Sequence, residues 1–72
     1  MSKLVLYTLS TCSVCDQART ALTQRGVPFE ERLLDDREDW QDEVIRLTNQ
    51  YTVPVLLHPD GRWEVGFEGE VG

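Results

Sequence analysis

Cys12 and Cys15 are the only cysteines in this chain of 72 residues, and Ser13 and Val14 alone separate them. Two thiols at that spacing can close a small, reversible disulfide. An apolar run precedes them and a segment of helical periodicity follows, so they stand at a helix N-terminus. There, unpaired backbone N–H groups and the helix dipole favour a thiolate. The chemistry this predicts is thiol–disulfide exchange, in which one cysteine attacks and the other resolves. A purely structural bridge is disfavoured, because closing so short a loop removes little entropy from the unfolded chain. A zinc site needs four ligands. His58 offers a third, and no second Cys-x-x-Cys completes the set. An iron–sulfur cluster shared by two chains is the other binding reading, since two such pairs supply four thiolates. Two inert core cysteines are the plain reading. A strand before the pair and a helix after it are the context of a redox motif, which favours exchange.

The elements that must position these thiols follow from periodicity. Residues 3–9 are nearly continuously apolar, as in a strand buried on both faces. Over residues 13–25, Val14, Ala18, Ala21 and Leu22 form the stripe of an amphipathic helix. Ser10 or Thr11 can cap its start, Gly26 suits the position after its end, and Pro28 prevents continuation. Residues 29–34 read as a second strand, made more polar and less central by Glu30, Glu31 and Arg32. Asp35 or Asp36 can cap a second helix, whose apolar stripe is Trp40, Val44, Leu47 and Tyr51. Residues 53–57 form a third strand with Pro54 near its start, where a missing ladder donor is tolerated. His58, Pro59, Asp60 and Gly61 have the residue types of a tight turn, and residues 62–67 return as the fourth strand of a hairpin. The order is strand, helix, strand, helix, strand, strand. A right-handed crossover makes the first two strands parallel and the hairpin makes the last two antiparallel, giving a four-stranded mixed α/β sheet.

Composition bounds the rest. The length suits one domain, residues 1–72, with a core near the lower limit of independent stability. Two cysteines are too few for the disulfide framework of a small secreted fold, and neither a leader nor a membrane-length apolar run is visible. A cytoplasmic protein that binds no membrane is the expectation. A formal net charge of −6 argues against nucleic acid as partner. Eight of the thirteen acidic residues are Glu30, Glu31, Asp35, Asp36, Glu38, Asp39, Asp42 and Glu43, which read as a solvated helix face and its strand.

Three pieces in this order resemble the glutaredoxins of the thioredoxin-like superfamily: Cys12-Ser13-Val14-Cys15, Thr52-Val53-Pro54, and Val65-Gly66-Phe67. The resemblance covers essentially the whole chain. It implies a glutaredoxin-type thioredoxin-like fold and a dithiol oxidoreductase that reduces protein or glutathione disulfides. It implies a cis bond before Pro54, which would sit against the cysteines. Thr52, Val53 and Pro54 would then bind substrate or glutathione, the Val53 backbone pairing with it like an added strand. Many glutaredoxins have Gly-Gly and then an acid that holds the γ-glutamyl amine of glutathione. Here the pair is Gly66-Phe67, with Glu70 in the place of that acid. Gly-Phe with a tryptophan close before it, as at Trp63, resembles redoxins that serve ribonucleotide reductase and are recharged by thioredoxin reductase. With Gly72 the last residue of the sequence, the family's short third helix is expected to be absent or very short.

These readings assign roles. Cys12 is expected to be the exposed, thiolate-prone nucleophile, and Cys15, one turn deeper, the resolving thiol. Asp16 is an adverse neighbour that Arg19, four residues beyond Cys15, can offset. No bound cofactor is expected. Electrons come from glutathione or from a partner of the thioredoxin-reductase type. The substrate is a disulfide-containing protein, with ribonucleotide reductase as a candidate, and the protein is expected to be a monomer.

Overall fold

The computed structural model describes residues 3–71; Gly72 lies outside them. Its elements are β1 (Leu4–Thr8), α1 (Ser13–Gln24), β2 (Phe29–Leu33), α2 (Glu38–Thr48), β3 (Val55–Leu57) and β4 (Trp63–Val65). They form one sheet in the order β2-β1-β3-β4. β1 runs parallel to β2 and antiparallel to β3, and β3 runs antiparallel to β4. The apolar β1 is thus interior to the sheet, and the charged β2 lies at an edge, where its polar side chains reach water.

Strand alternation divides the core into two layers. Leu4 and Leu6 of β1 and Leu56 of β3 pack against Ala18 and Leu22 of α1. Tyr7 and Val55 point to the opposite face, where Val44 of α2 meets them, with Trp40 and Leu47 at the margin. Cys12 and Cys15 belong to this second cluster, together with Val14, Leu34 and Val53. The thiols are therefore seated on the core, at one end of it.

Several element ends differ from expectation, β3 among them, which begins at Val55 rather than at residue 53; three of the differences have a visible physical cause. No Asp caps α2: its N-cap is Arg37, without a side-chain hydrogen bond. Asp35 is engaged elsewhere, accepting from the Ser10 N–H at 3.1 Å and from the Ser10 hydroxyl. Glu38 and Asp39 supply the negative charge that the helix start favours. At the other end, Asn49 takes the left-handed conformation (φ 60) and donates its N–H to Ile45 O at 2.7 Å, which closes α2 before Tyr51. Tyr51 is accordingly exposed and lies outside the helical stripe. The last strand is also shorter than residues 62–67, because Gly66 (φ 86) turns the chain after Val65. Asn49→Ala puts in that left-handed site a residue that tolerates it less well than Asn. We expect it to cost about 1 kcal/mol, measured by urea denaturation.

Candidate active site

Cys12 has an extended backbone (φ −92, ψ 111) and caps α1 with its own side chain: the Cys15 N–H donates to Cys12 Sγ at 3.0 Å. This corrects the assignment of the cap to Ser10 or Thr11. With the helix opening at Ser13, residue 12 is the N-cap, and a side chain there bonds the N–H two or three residues onward. It also corrects the expectation of an exposed nucleophile. With its sulfur turned onto the helix end, Cys12 is only 7% exposed, though Cys15 is deeper still at 0%. Both thiols are free. Burial pushes the Cys15 thiol up to about 12, and its hydrogen bond to Cys12 adds to that. The Leu9 backbone and the Arg19 charge act in the opposite direction.

Thr52, Val53 and Pro54 lead into β3. The Val53–Pro54 bond is cis. Val53 packs in the cluster that holds both cysteines, and Pro54 is fully buried beside it in sequence. The Pro54 carbonyl accepts from the Gly66 N–H at 2.7 Å, which ties this loop to the end of the hairpin. Gly66 is required there. A β-carbon on it would lie 2.6 Å from Glu70 O, in addition to the strain of its positive φ. Phe67 and Glu70 then exchange backbone hydrogen bonds of 2.7 and 3.0 Å around Glu68 and Gly69. Phe67 is half-buried and packs against both core clusters, with the Arg25 guanidinium 5.8 Å from its ring. Glu70 is exposed and stands outside both clusters.

Arg19 faces two carboxylates rather than Asp16 alone. It forms a fork on Glu31 of β2, with Nε 2.9 Å from both oxygens, and also binds Asp16. Glu31 accepts a further hydrogen bond, 2.8 Å long, from the hydroxyl of the buried Thr8. Sequence reasoning found neither Glu31 nor Thr8, because only the β1–β2 register brings them together. His58 lies after β3, with Nε2 2.6 Å from Glu64 Oε1. Among the described residues no three His, Cys, Asp or Glu side chains converge as a metal site, and no helix is long and apolar enough to cross a membrane.

A helix capped by a cysteine side chain, set on a sheet of this order beside a cis-proline loop, is the arrangement of the thioredoxin-like class. Solved structures agree on the fold. The glutaredoxin from Archaeoglobus fulgidus superposes with a TM-score of 0.84 at 29% identity, covering 94% of this chain and 78% of that one. The glutaredoxin from Methanosarcina mazei Go1 gives 0.82 at 30% identity, covering 93% and 70%. The Glutaredoxin family model matches residues 4–62. Glutaredoxin 3 of Escherichia coli (strain K12) is 33% identical over 57 residues, 79% of this chain and 69% of that protein. The glutaredoxin of Pseudomonas aeruginosa is 33% identical over 56 residues, 78% and 67% of the respective chains. The chain belongs to the glutaredoxin family, and its chemistry is thiol–disulfide oxidoreduction. Such proteins draw electrons from glutathione or a reductase, and the family favours exchange over metal or cluster binding by the cysteine pair.

Proposed function

We propose that this glutaredoxin is a dithiol protein-disulfide reductase in which Cys12 attacks and Cys15 resolves, and that a flavoprotein reductase recharges it in preference to glutathione. Cys12 caps the helix, so a negative sulfur there gains from the Cys15 N–H and the aligned dipoles. Cys15 is the more deeply buried thiol and suits the second step. Thr52, Val53 and Pro54 would line the substrate edge, with the Val53 backbone as the pairing group.

The single observation that carries the choice of reductant is Phe67. Glutathione-using relatives have a glycine in the corresponding position, where the tripeptide can approach the backbone. Here a half-buried aromatic ring packs on both core clusters beneath Arg25, and Glu68 forms an ion pair with that arginine. A ring in that position would narrow the approach of glutathione to the backbone beside Gly66. Glu70 is exposed and free to hold an amine, so glutathione would bind weakly rather than not at all. Ribonucleotide reductase is a candidate substrate on the Gly-Phe resemblance.

The test is a coupled assay of NADPH oxidation, run once with glutathione and its reductase and once with thioredoxin reductase. The unmodified protein is expected to turn over faster with the second. Phe67→Gly is expected to raise turnover with glutathione severalfold and to lower turnover with thioredoxin reductase. It also removes packing worth roughly 2 kcal/mol, so the assay belongs well below the melting temperature. Brisk turnover with glutathione and none with thioredoxin reductase in the unmodified protein would overturn the assignment.

A further inference from the structure

Arg19 is the only cation of α1 and stands one helical turn beyond Cys15 on the same face. Its guanidinium is held in place. The fork on Glu31 fixes its plane, as bidentate Arg–carboxylate pairs do. Glu31 is itself pinned by the hydroxyl of Thr8, a side chain with no exposure. Thr8 ends β1, and the next residue, Leu9, accepts the Cys12 N–H on its backbone carbonyl at 3.2 Å. One chain of contacts thus runs from the strand end behind the thiols to the guanidinium one turn along.

Resting on the dithiol reading above, we propose that Arg19, anchored through Glu31 and Thr8, is a positioning residue whose charge sets the rate at which Cys15 resolves the mixed disulfide at Cys12. In that step the Cys15 thiol gives its proton to solvent and the thiolate attacks Cys12 Sγ. The Cys12–Cys15 bond forms, and the bond from Cys12 to the substrate sulfur breaks. The electron pair leaves on the substrate sulfur, which takes up a proton. The substrate is reduced to two thiols, and the cysteine pair is oxidised by two electrons.

The ionisable groups around Cys15 come from every neighbouring element. Cys12 precedes α1, Asp16 and Arg19 lie on it, and Tyr7 lies on β1. Glu31 and Arg32 lie on β2, and Glu43 of α2 accepts from the Tyr7 hydroxyl. Burial and Cys12 oppose the thiolate, and Arg19 is the cation that favours it. Two carboxylates, Asp16 and Glu31, oppose that charge. One of them, Asp16, is exposed, its side chain at 66%, so neutralising it uncovers positive charge without disturbing the anchor.

The reduced protein is mixed rapidly with a small aromatic disulfide that releases a coloured thiolate. The first release reports attack by Cys12, and the second reports resolution by Cys15. Arg19→Gln is expected to slow the second release severalfold at neutral pH and to move its pH profile upward, the direction in which losing the Arg19 charge acts on Cys15. The first release is expected to change by less than about threefold, because Cys12 stands seven residues before Arg19, roughly 10 Å along the helix axis, about one screening length away. Arg19→Lys keeps the charge without the fork and is expected to restore part of the loss. Asp16→Asn is expected to speed the second release severalfold, a gain that loss of structure cannot produce. The proposal is overturned if Arg19→Gln slows both phases equally or leaves the second unchanged, or if Asp16→Asn fails to speed it. Should Arg19→Gln not fold, Asp16→Asn decides alone. Absence of either release in the unmodified protein would instead overturn the dithiol reading, so the two failures are distinguishable.

Discussion

Cys12→Ser is expected to abolish disulfide reduction, while Cys15→Ser accumulates a covalent adduct at Cys12. The two outcomes differ because the thiols occupy different positions on one helix. Cys12 Sγ is the N-cap atom, in contact with the Cys15 N–H at 3.0 Å. A serine in its place keeps the cap, since Ser is a good capping residue, but its hydroxyl is not a nucleophile toward disulfides. The Cys12→Ser fold is therefore expected to survive, and the loss of turnover to be complete to the limit of the assay. Cys15 is fully buried, and burial raises its thiol to about 12. It can act only once a mixed disulfide brings a sulfur–sulfur bond to Cys12. Its removal stops the reaction at that point. Intact mass after incubation with a disulfide peptide reads both results: no adduct on Cys12→Ser, and a stable adduct on Cys15→Ser that added thiol removes. Brief alkylation of the unmodified reduced protein is expected to label Cys12 before Cys15. At 7% exposure Cys12 is expected to label more slowly than an exposed thiol. Preferential labelling of Cys15 would reverse the roles.

How far the sequence foretells this molecule depends on the range of the interactions involved. The two helices and four strands follow from local periodicity. The parallel first pair and the antiparallel hairpin follow from the handedness of connections. The polar second strand lies at the edge, where its charges can be solvated. What local patterning misreads is competition for side chains across the fold. Asp35 has the right type and place to cap α2, yet Ser10, 25 positions earlier in the chain, takes it. Tyr51 continues the spacing of Trp40, Val44 and Leu47, but a left-handed Asn49 ends the helix first. Arg19 is visible as a neighbour of Asp16 at helical spacing. Its stronger partner, Glu31, becomes visible only once β1 and β2 are in register. The cysteine pair is legible because its chemistry needs two residues at a fixed spacing. The anchor behind it depends on tertiary contacts, and nothing in the chain's local pattern marks it.

Gly66→Ala is expected to be the most damaging small substitution outside the cysteines. Two costs coincide at this residue. At φ 86 an L residue is strained by about 1–2 kcal/mol. The added β-carbon would also meet Glu70 O at 2.6 Å and Val71 Cγ1 at 3.0 Å. The first of these is backbone, held by the reciprocal Phe67–Glu70 hydrogen bonds, and cannot swing away as a side chain would. Relief requires either opening that turn or moving Gly66, and moving Gly66 lengthens its 2.7 Å hydrogen bond to Pro54 O. Gly69 serves as the control. Its φ of 85 is almost the same, but nothing lies within 4 Å of its β-carbon position. Gly69→Ala therefore reports the backbone term alone, and the difference between the two variants reports the clash. At roughly 4–8 °C per kcal/mol for a domain of this size, Gly69→Ala is expected to lower the melting temperature by about 5 °C and Gly66→Ala by at least about 10 °C. The functional consequence separates them further. Gly66 tethers the Pro54 carbonyl, and the neighbouring Val53 backbone is the proposed pairing group for substrate. Gly66→Ala is therefore expected to raise KM for a disulfide substrate about tenfold, the effect of losing roughly 1.4 kcal/mol of binding, and to alter kcat much less. Equal melting temperatures for the two variants would mean that the turn yields freely. An unchanged KM in a folded Gly66→Ala protein would mean that substrate does not depend on the loop that Gly66 holds.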